Sequence, residues 1–205
     1  MIGIIDYGAG NISSVKNAFE RVGEDAEPFS DPDNTENYSH LVLPGVGSFR
    51  MAMEQLNSAG WTKKIQQYAQ SGRPLLGICL GMQLLFDEGD EDGPSKGLGL
   101  ISGNVKIMNP DKPLKIPHVG WNRLYAMQDH PVMEGIKDYI DFYFVHSYEC
   151  IPASQENILS HSDHGGRFVA SVCNGSVIGM QFHPEKSQPA GLTILQNFSD
   201  WKGLC

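Results

Sequence analysis

The chain has 205 residues, 40% of them hydrophobic, with a formal net charge of -9; this suits a single domain over 1–205 with a sizeable core and leaves little room for a second. The acidic balance speaks against nucleic acid as a partner, because a phosphate-binding surface needs a basic excess. No apolar run approaches membrane-spanning length and the opening Met1-Ile2-Gly3-Ile4-Ile5-Asp6 lacks the pattern of a signal peptide, so a cytoplasmic protein without membrane association is expected, with Cys79, Cys150, Cys173 and Cys205 as thiols.

In chain order, residues 2–5 read as a buried strand, followed by a Gly8-Ala9-Gly10 turn and a helix that starts near Asn11 or Ser13 and carries Ile12, Val15, Phe19 and Val22 on one side. Ser13 stands where a dinucleotide fingerprint needs its third glycine, which removes most of the weight from a nucleotide reading. Residues 31–37 are polar and turn-rich, 41–43 form a short strand, 48–57 and 61–70 read as helices, and an apolar run then leads to Cys79. This alternation predicts an α/β fold with a doubly wound, mostly parallel sheet. The acidic stretch 87–92 reads as a solvated loop. Beyond Gly99 the pattern changes to additional, antiparallel strands at 105–108, 122–126 and 139–149, and at 168–173 and 176–182 joined by a hairpin turn at Asn174-Gly175; a helix over 191–201 closes the chain.

Cys79 sits in Gly77-Ile78-Cys79-Leu80-Gly81-Met82-Gln83, where an apolar run flows into an amphipathic one between two glycines. That pattern delivers a side chain to a tight strand-to-helix turn and sets it against the Leu80 amide and the positive end of the next helix. An isolated cysteine is otherwise a small buried hydrophobe; the flanking glycines favour a nucleophile. A thiolate that does acyl chemistry needs a base, and the base needs an orienting group. Gln181-Phe182-His183-Pro184-Glu185-Lys186 offers both: Pro184 ends a buried strand and leaves His183 at its terminus, and Glu185, two residues on in an extended chain, points the same way. A metal site is the weaker reading, because the cysteines form no Cys-x-x-Cys pair and no His-x-x-x-His spacing accompanies Cys79. No metal or other cofactor is expected.

These two segments resemble the class I (triad) glutamine amidotransferases. Asp6-Tyr7-Gly8-Ala9-Gly10-Asn11, Leu43-Pro44-Gly45-Val46-Gly47-Ser48-Phe49, Pro117-His118-Val119-Gly120-Trp121-Asn122 and Tyr143-Phe144-Val145-His146-Ser147-Tyr148 narrow the likeness to the glutaminase subunits of imidazole glycerol phosphate synthase, over Gly3 to Phe198. The resemblance implies a flavodoxin-like three-layer fold, L-glutamine as substrate, Cys79, His183 and Glu185 as triad, and ammonia delivered to a (β/α)-barrel synthase partner in a heterodimer of histidine biosynthesis. It implies oxyanion donors at Leu80 and in the Val46–Gly47 loop, glutamine contacts at Gly47, Gln83, Glu91, Ser147 and Tyr148, and partner contacts at Asn11, Trp121, Tyr143 and Lys186. His118 and His146 are read as structural histidines. The competing readings are a paralogous glutaminase whose barrel partner amidinates a cell-surface sugar, a non-catalytic binding subunit that retains the fold, and a cysteine peptidase.

Overall fold

The first apolar run is strand β1 (Ile2–Ile5), buried throughout, in a computed structural model that describes residues 1–111, 114–137 and 139–203. A strand buried on both faces sits inside a sheet, and β1 is flanked in parallel by β2 (Ala26–Phe29) and β3 (His40–Gly45). β4 (Leu75–Cys79) extends the parallel run beside β3. Parallel neighbours need crossovers, supplied here by α1 (Ile12–Arg21), α2 (Phe49–Ser58) and α3 (Trp61–Gln70). Each helix buries one stripe at helical spacing: Val15, Ala18 and Phe19 on α1; Phe49, Ala52, Met53 and Leu56 on α2; Trp61, Ile65 and Tyr68 on α3.

After β4 comes α4 (Leu80–Leu84), only five residues long. β5 (Phe86–Gly89), β6 (Ser95–Lys96) and β7 (Ile101–Ile107) then begin a small sheet. β8 (His118–Arg123) leads to the short edge strand β9 (Tyr125–Ala126), and β10 (Asp141–His146) returns antiparallel to β8. β11 (Tyr148–Pro152) completes the small sheet against β7. β12 (Ile158–Asp163), β13 (Arg167–Asn174) and β14 (Val177–Met180) form an antiparallel meander, and α5 (Gln188–Asp200) packs beside α1. The large sheet runs β2-β1-β3-β4-β14-β13-β12-β9, with β14 parallel to β4. The expected mixed α/β architecture is therefore present, with one core containing Phe19, Ile78 and Phe198 and a second containing Leu43, Phe49 and Trp61.

The structure departs from the sequence reading in four places. Part of the acidic stretch is strand β5, because Phe86 and Gly89 are buried while Asp87 and Glu88 face outward. The hairpin loop is Gly175-Ser176, one residue later than expected: Asn174 pairs with Val177, and Gly175 takes the positive φ of 56°. The run 139–149 is two strands broken at Ser147. β2 and β12 were not expected at all. β2 is an edge strand with exposed Glu27 and Pro28, and β12 buries polar residues whose partners lie on other strands, Ser160 Oγ facing Ser171 Oγ at 2.6 Å and Ser162 Oγ donating to the Arg123 carbonyl at 2.7 Å.

α4 packs closely on both β3 and β4 through glycine contacts. A Cβ on Gly81 would stand 1.8 Å from the Leu43 carbonyl oxygen, and one on Gly77 2.6 Å from the Gly81 oxygen. Gly81→Ala should therefore cost at least the ~1–3 kcal/mol typical of overpacking, read as a lower denaturation midpoint. An unchanged midpoint would mean that the helix can move away from β3 freely.

Candidate active site

Open parallel sheets present their chemistry at the carboxyl ends of the strands, and here those ends bring β3, β4 and β14 together. Cys79 closes β4 with φ 55° and ψ -111°. A non-glycine residue in such a conformation costs about 1–3 kcal/mol, held only by surrounding structure. The glycines on either side do not make the bend: neither Gly77 nor Gly81 has positive φ, and both serve close approach of helix to strand while Cys79 itself carries the strain.

β14 stops at Met180, and His183 precedes a 3₁₀ turn, Pro184–Lys186. His183 N–H donates to the Tyr143 carbonyl at 2.9 Å, and Ser187 Oγ donates to the His183 carbonyl at 2.6 Å. The turn, rather than an extended chain, brings Glu185 Oε1 to 2.8 Å from His183 Nδ1. Both side chains are buried, 4% and 1% exposed, so the pair is shielded from solvent screening. Among the described residues, His183 Nε2 has no partner at ordinary hydrogen-bond geometry, and the Cys79 sulfur is a group that acts on the ring. Burial pulls the ring's pKa down, but the Cys79 sulfur and the Glu185 carboxylate outweigh it and hold it at about 9.

Cys79, Leu80, Val46, Gly47, Gln83, Glu91, Ser147, Tyr148, His183 and Lys186 line one cavity of about 290 Å³, with Glu185 behind His183. Glu91 Oε2 accepts from the Phe49 N–H at 2.8 Å, tying the acidic segment to the start of α2. Burial pushes the Glu91 carboxyl pKa up, and that N–H opposes it. Gln83 is buried and donates through Nε2 to the Tyr148 carbonyl at 3.2 Å and to Gln181 Oε1 at 3.1 Å. A thiol, an imidazole with a bonded carboxylate and backbone amides at a strand-to-helix turn can carry out acyl transfer on a small carbonyl substrate.

Residues 3–201 match the family model "Glutamine amidotransferase class-I". The chain is 48% identical over 202 residues to the imidazole glycerol phosphate synthase subunit HisH of Geobacillus kaustophilus, covering 97% of this chain and 95% of that protein. The chain belongs to the class I glutamine amidotransferases, in the HisH family. To the chloroplastic imidazole glycerol phosphate synthase hisHF of Arabidopsis thaliana it is 40% identical, covering 97% of this chain and 34% of that longer protein. Its fold is also that of a chain in the structure of PurLQS from Thermotoga maritima, with a TM-score of 0.76 at 19% identity and 97% coverage of both chains.

Of the four expected partner contacts of this amidotransferase, Lys186 lines the cavity, and Trp121 and Tyr143 form a ring cluster with it outside the lining. The Trp121 and Tyr143 ring centroids are 5.6 Å apart, Lys186 Nζ lies 5.7 Å from the Tyr143 ring, and Tyr143 lies 6.2 Å from the His183 ring. Trp121 is 45% exposed. Asn11 stands outside the cavity lining, at the N-cap of α1. His118 and His146 are buried and hydrogen-bonded, in keeping with a structural reading.

The sequence reading missed Val145, Gln181 and Tyr7. The Cys79 thiol faces the Val145 carbonyl at 3.7 Å, and Gln181 Nε2 lies 3.9 Å from Cys79 Sγ. Tyr7 carries a buried hydroxyl without a partner, close enough to Gly45 to meet a Cβ there at 3.0 Å. Burial and the nearby Cys79 sulfur raise the Tyr7 pKa. All three residues stand in the motifs that carry the family resemblance; the polarity of Gln181 in a buried run was an available signal, whereas Val145 contributes a backbone carbonyl that its side-chain type does not mark.

Proposed function

We propose that this amidotransferase is the glutaminase subunit of an imidazole glycerol phosphate synthase, acting in the cytoplasm as a heterodimer with a (β/α)-barrel synthase. The observation that carries this reading is the cavity that holds Cys79, His183 and Lys186, with Tyr143 within ring-contact distance of both His183 and Lys186. The Cys79 thiolate attacks the carboxamide carbon of glutamine. His183 gives its Nε2 proton to the departing ammonia, then takes a proton from the water that releases glutamate from the thioester. Glu185 keeps the ring oriented through Nδ1 and favours its cation. The Leu80 N–H and an amide of the Val46–Gly47 loop stabilise the oxyanion, each by about 3 kcal/mol of barrier. Glu91, Gln83, Ser147 and Tyr148 hold the amino-acid end. Ammonia leaves toward the Trp121 and Tyr143 ring cluster, which the barrel subunit covers so that ammonia is not lost to water.

Gly47 has φ +100° and open space around its Cβ position, so the loop peptide can turn between an orientation that completes the oxyanion hole and one that does not. The partner with its acceptor ligand favours the productive orientation, and glutamate release should rise by roughly a hundredfold, within ordinary allosteric coupling. The test measures glutamate release for the free chain, the copurified complex, and the complex with acceptor ligand. Equal rates in all three would make the loop a static turn. Gly47→Pro should block the rise without preventing glutamine binding, since proline removes the amide donor and forbids positive φ.

A further inference from the structure

β8 presents exposed Trp121 with half-buried Asn122 beside it, and β10 ends at His146, immediately before Ser147 and Tyr148 at the cavity. A line of hydrogen bonds joins the two places. Asn122 Nδ2 donates to the Asp163 carbonyl at 2.8 Å, which leaves Asn122 Oδ1 facing His118 Nε2, also at 2.8 Å. His118 Nδ1 lies 3.0 Å from His146 Nε2, and His146 Nδ1 lies 2.9 Å from the Tyr148 carbonyl oxygen.

Both ends of this line are acceptors. A neutral imidazole donates through one nitrogen and accepts through the other, so two neutral rings supply two N–H groups for three links. One link must set a lone pair against a lone pair. Turning the Asn122 amide moves that opposition to the Asp163 carbonyl without removing it. One additional proton on either ring closes all three links.

Burial lowers the pKa of both rings, of His146 to about 3, against the raising effects of Asn122 on His118 and of the Tyr148 carbonyl on His146. Near neutrality the line is therefore one proton short. The titratable groups acting on the pair are themselves histidines. His164, between β12 and β13, stacks on His118 with centroids 4.1 Å apart, and His183 acts on His146 from beyond β14. Phe144 and Phe168 supply apolar ring contacts to both His118 and His146.

We propose that His118 and His146 are positioning residues for glutamine hydrolysis: a proton-deficient pair that relays the state of Asn122, on the partner-facing strand, to the Tyr148 carbonyl at the glutamine cavity. This rests on the reading of that cavity given above. In the neutral pair the missing bond sits at Asn122, between the rings or at Tyr148, and tautomer exchange moves it. When it sits at Tyr148, the carbonyl keeps the Gln83 donor but loses that of His146, and the segment that holds glutamine loosens. A docked partner that engages Asn122 Oδ1 places the deficiency there and leaves both rings donating toward Tyr148. Protonation of the pair has the same effect on Tyr148.

The test combines two readouts. In the complex with its barrel partner, the KM for glutamine should fall, by up to about threefold to tenfold, the worth of one hydrogen bond, as the pH is lowered from 7.5 through the titration of the pair, which burial moves below the ordinary histidine value. Asn122→Asp, which favours the imidazolium, should give the low KM already at pH 7.5, and His118→Phe, which frees His146 to donate to Tyr148 at all pH values, should give a low, flat KM. Both variants should move KM more than kcat. In the ¹⁵N-histidine-labelled full chain, the two rings should share the uptake of one proton, at higher pH in Asn122→Asp. Independent titration of the two rings, or an unaltered pH dependence of KM in both variants, would overturn the relay. Failure of glutamine to bind the Cys79→Ala chain would instead overturn the cavity reading and the relay's purpose with it, while the labelled-histidine titration would still decide the proton count separately.

Discussion

Cys79→Ala should abolish glutamine-dependent synthesis by the complex, by about four orders of magnitude or more as for other lost nucleophiles, while synthesis from added ammonium salts continues. The sulfur is the atom that would form the thioester, and no neighbouring group replaces it. Val145 presents only a carbonyl and Gln181 only an amide to that position. The fold should tolerate the change, because alanine removes one buried sulfur and retains the Cβ at the strained φ of 55°. The measurement is glutamate formation beside product formation from glutamine and from ammonia. Loss of ammonia-dependent synthesis as well would refute the division of labour between this chain and its partner, since the synthase site would then depend on Cys79.

His183→Ala should be nearly as damaging, and Glu185→Gln less so, because an amide still positions the ring but does not favour its cation. The raised His183 pKa makes the prediction specific. The imidazolium persists up to about pH 9 in the wild type, and without the carboxylate at 2.8 Å its titration should move down toward the ordinary histidine value. A pH–rate profile and the ring's NMR titration both read this shift. The linkage has a definite sign. A folded-state pKa raised from the ordinary histidine value of 6.5 to about 9 contributes stability that is fully present below the unfolded value and is lost as pH rises through about 9. The denaturation midpoint should therefore fall across that window, and less steeply in Glu185→Gln. Equal, near-total loss of turnover in His183→Ala and Glu185→Gln would show that cation stabilisation outweighs ring orientation, and an unmoved His183 titration would remove Glu185 as its cause.

The sequence by itself determined the parallel half of the fold and the chemical types at the site. Residues 2–5, 41–43 and 75–79 are strands buried on both faces, which appear as short continuous apolar runs, and α1 to α3 bury stripes at helical spacing that local sequence states outright. The cysteine was visible because an apolar run passes into an amphipathic one around it, and the histidine because Pro184 ends its strand. Tertiary structure alone decided what depends on groups distant in the sequence. Ser160 and Ser162 are polar residues in a buried strand, legible only once Ser171 and the Arg123 carbonyl lie beside them. Gly81 is small because α4 touches β3 there and Gly77 because α4 folds back on β4, and Cys79, rather than either glycine, takes the unusual φ. Glu185 reaches His183 through a 3₁₀ turn that two-residue spacing could not specify. His118 and His146 read as structural histidines because the links that join them to each other, to Asn122 and to the Tyr148 carbonyl depend on pairing of β8 with β10, and a hydrogen bond between strands exists only after those strands have paired.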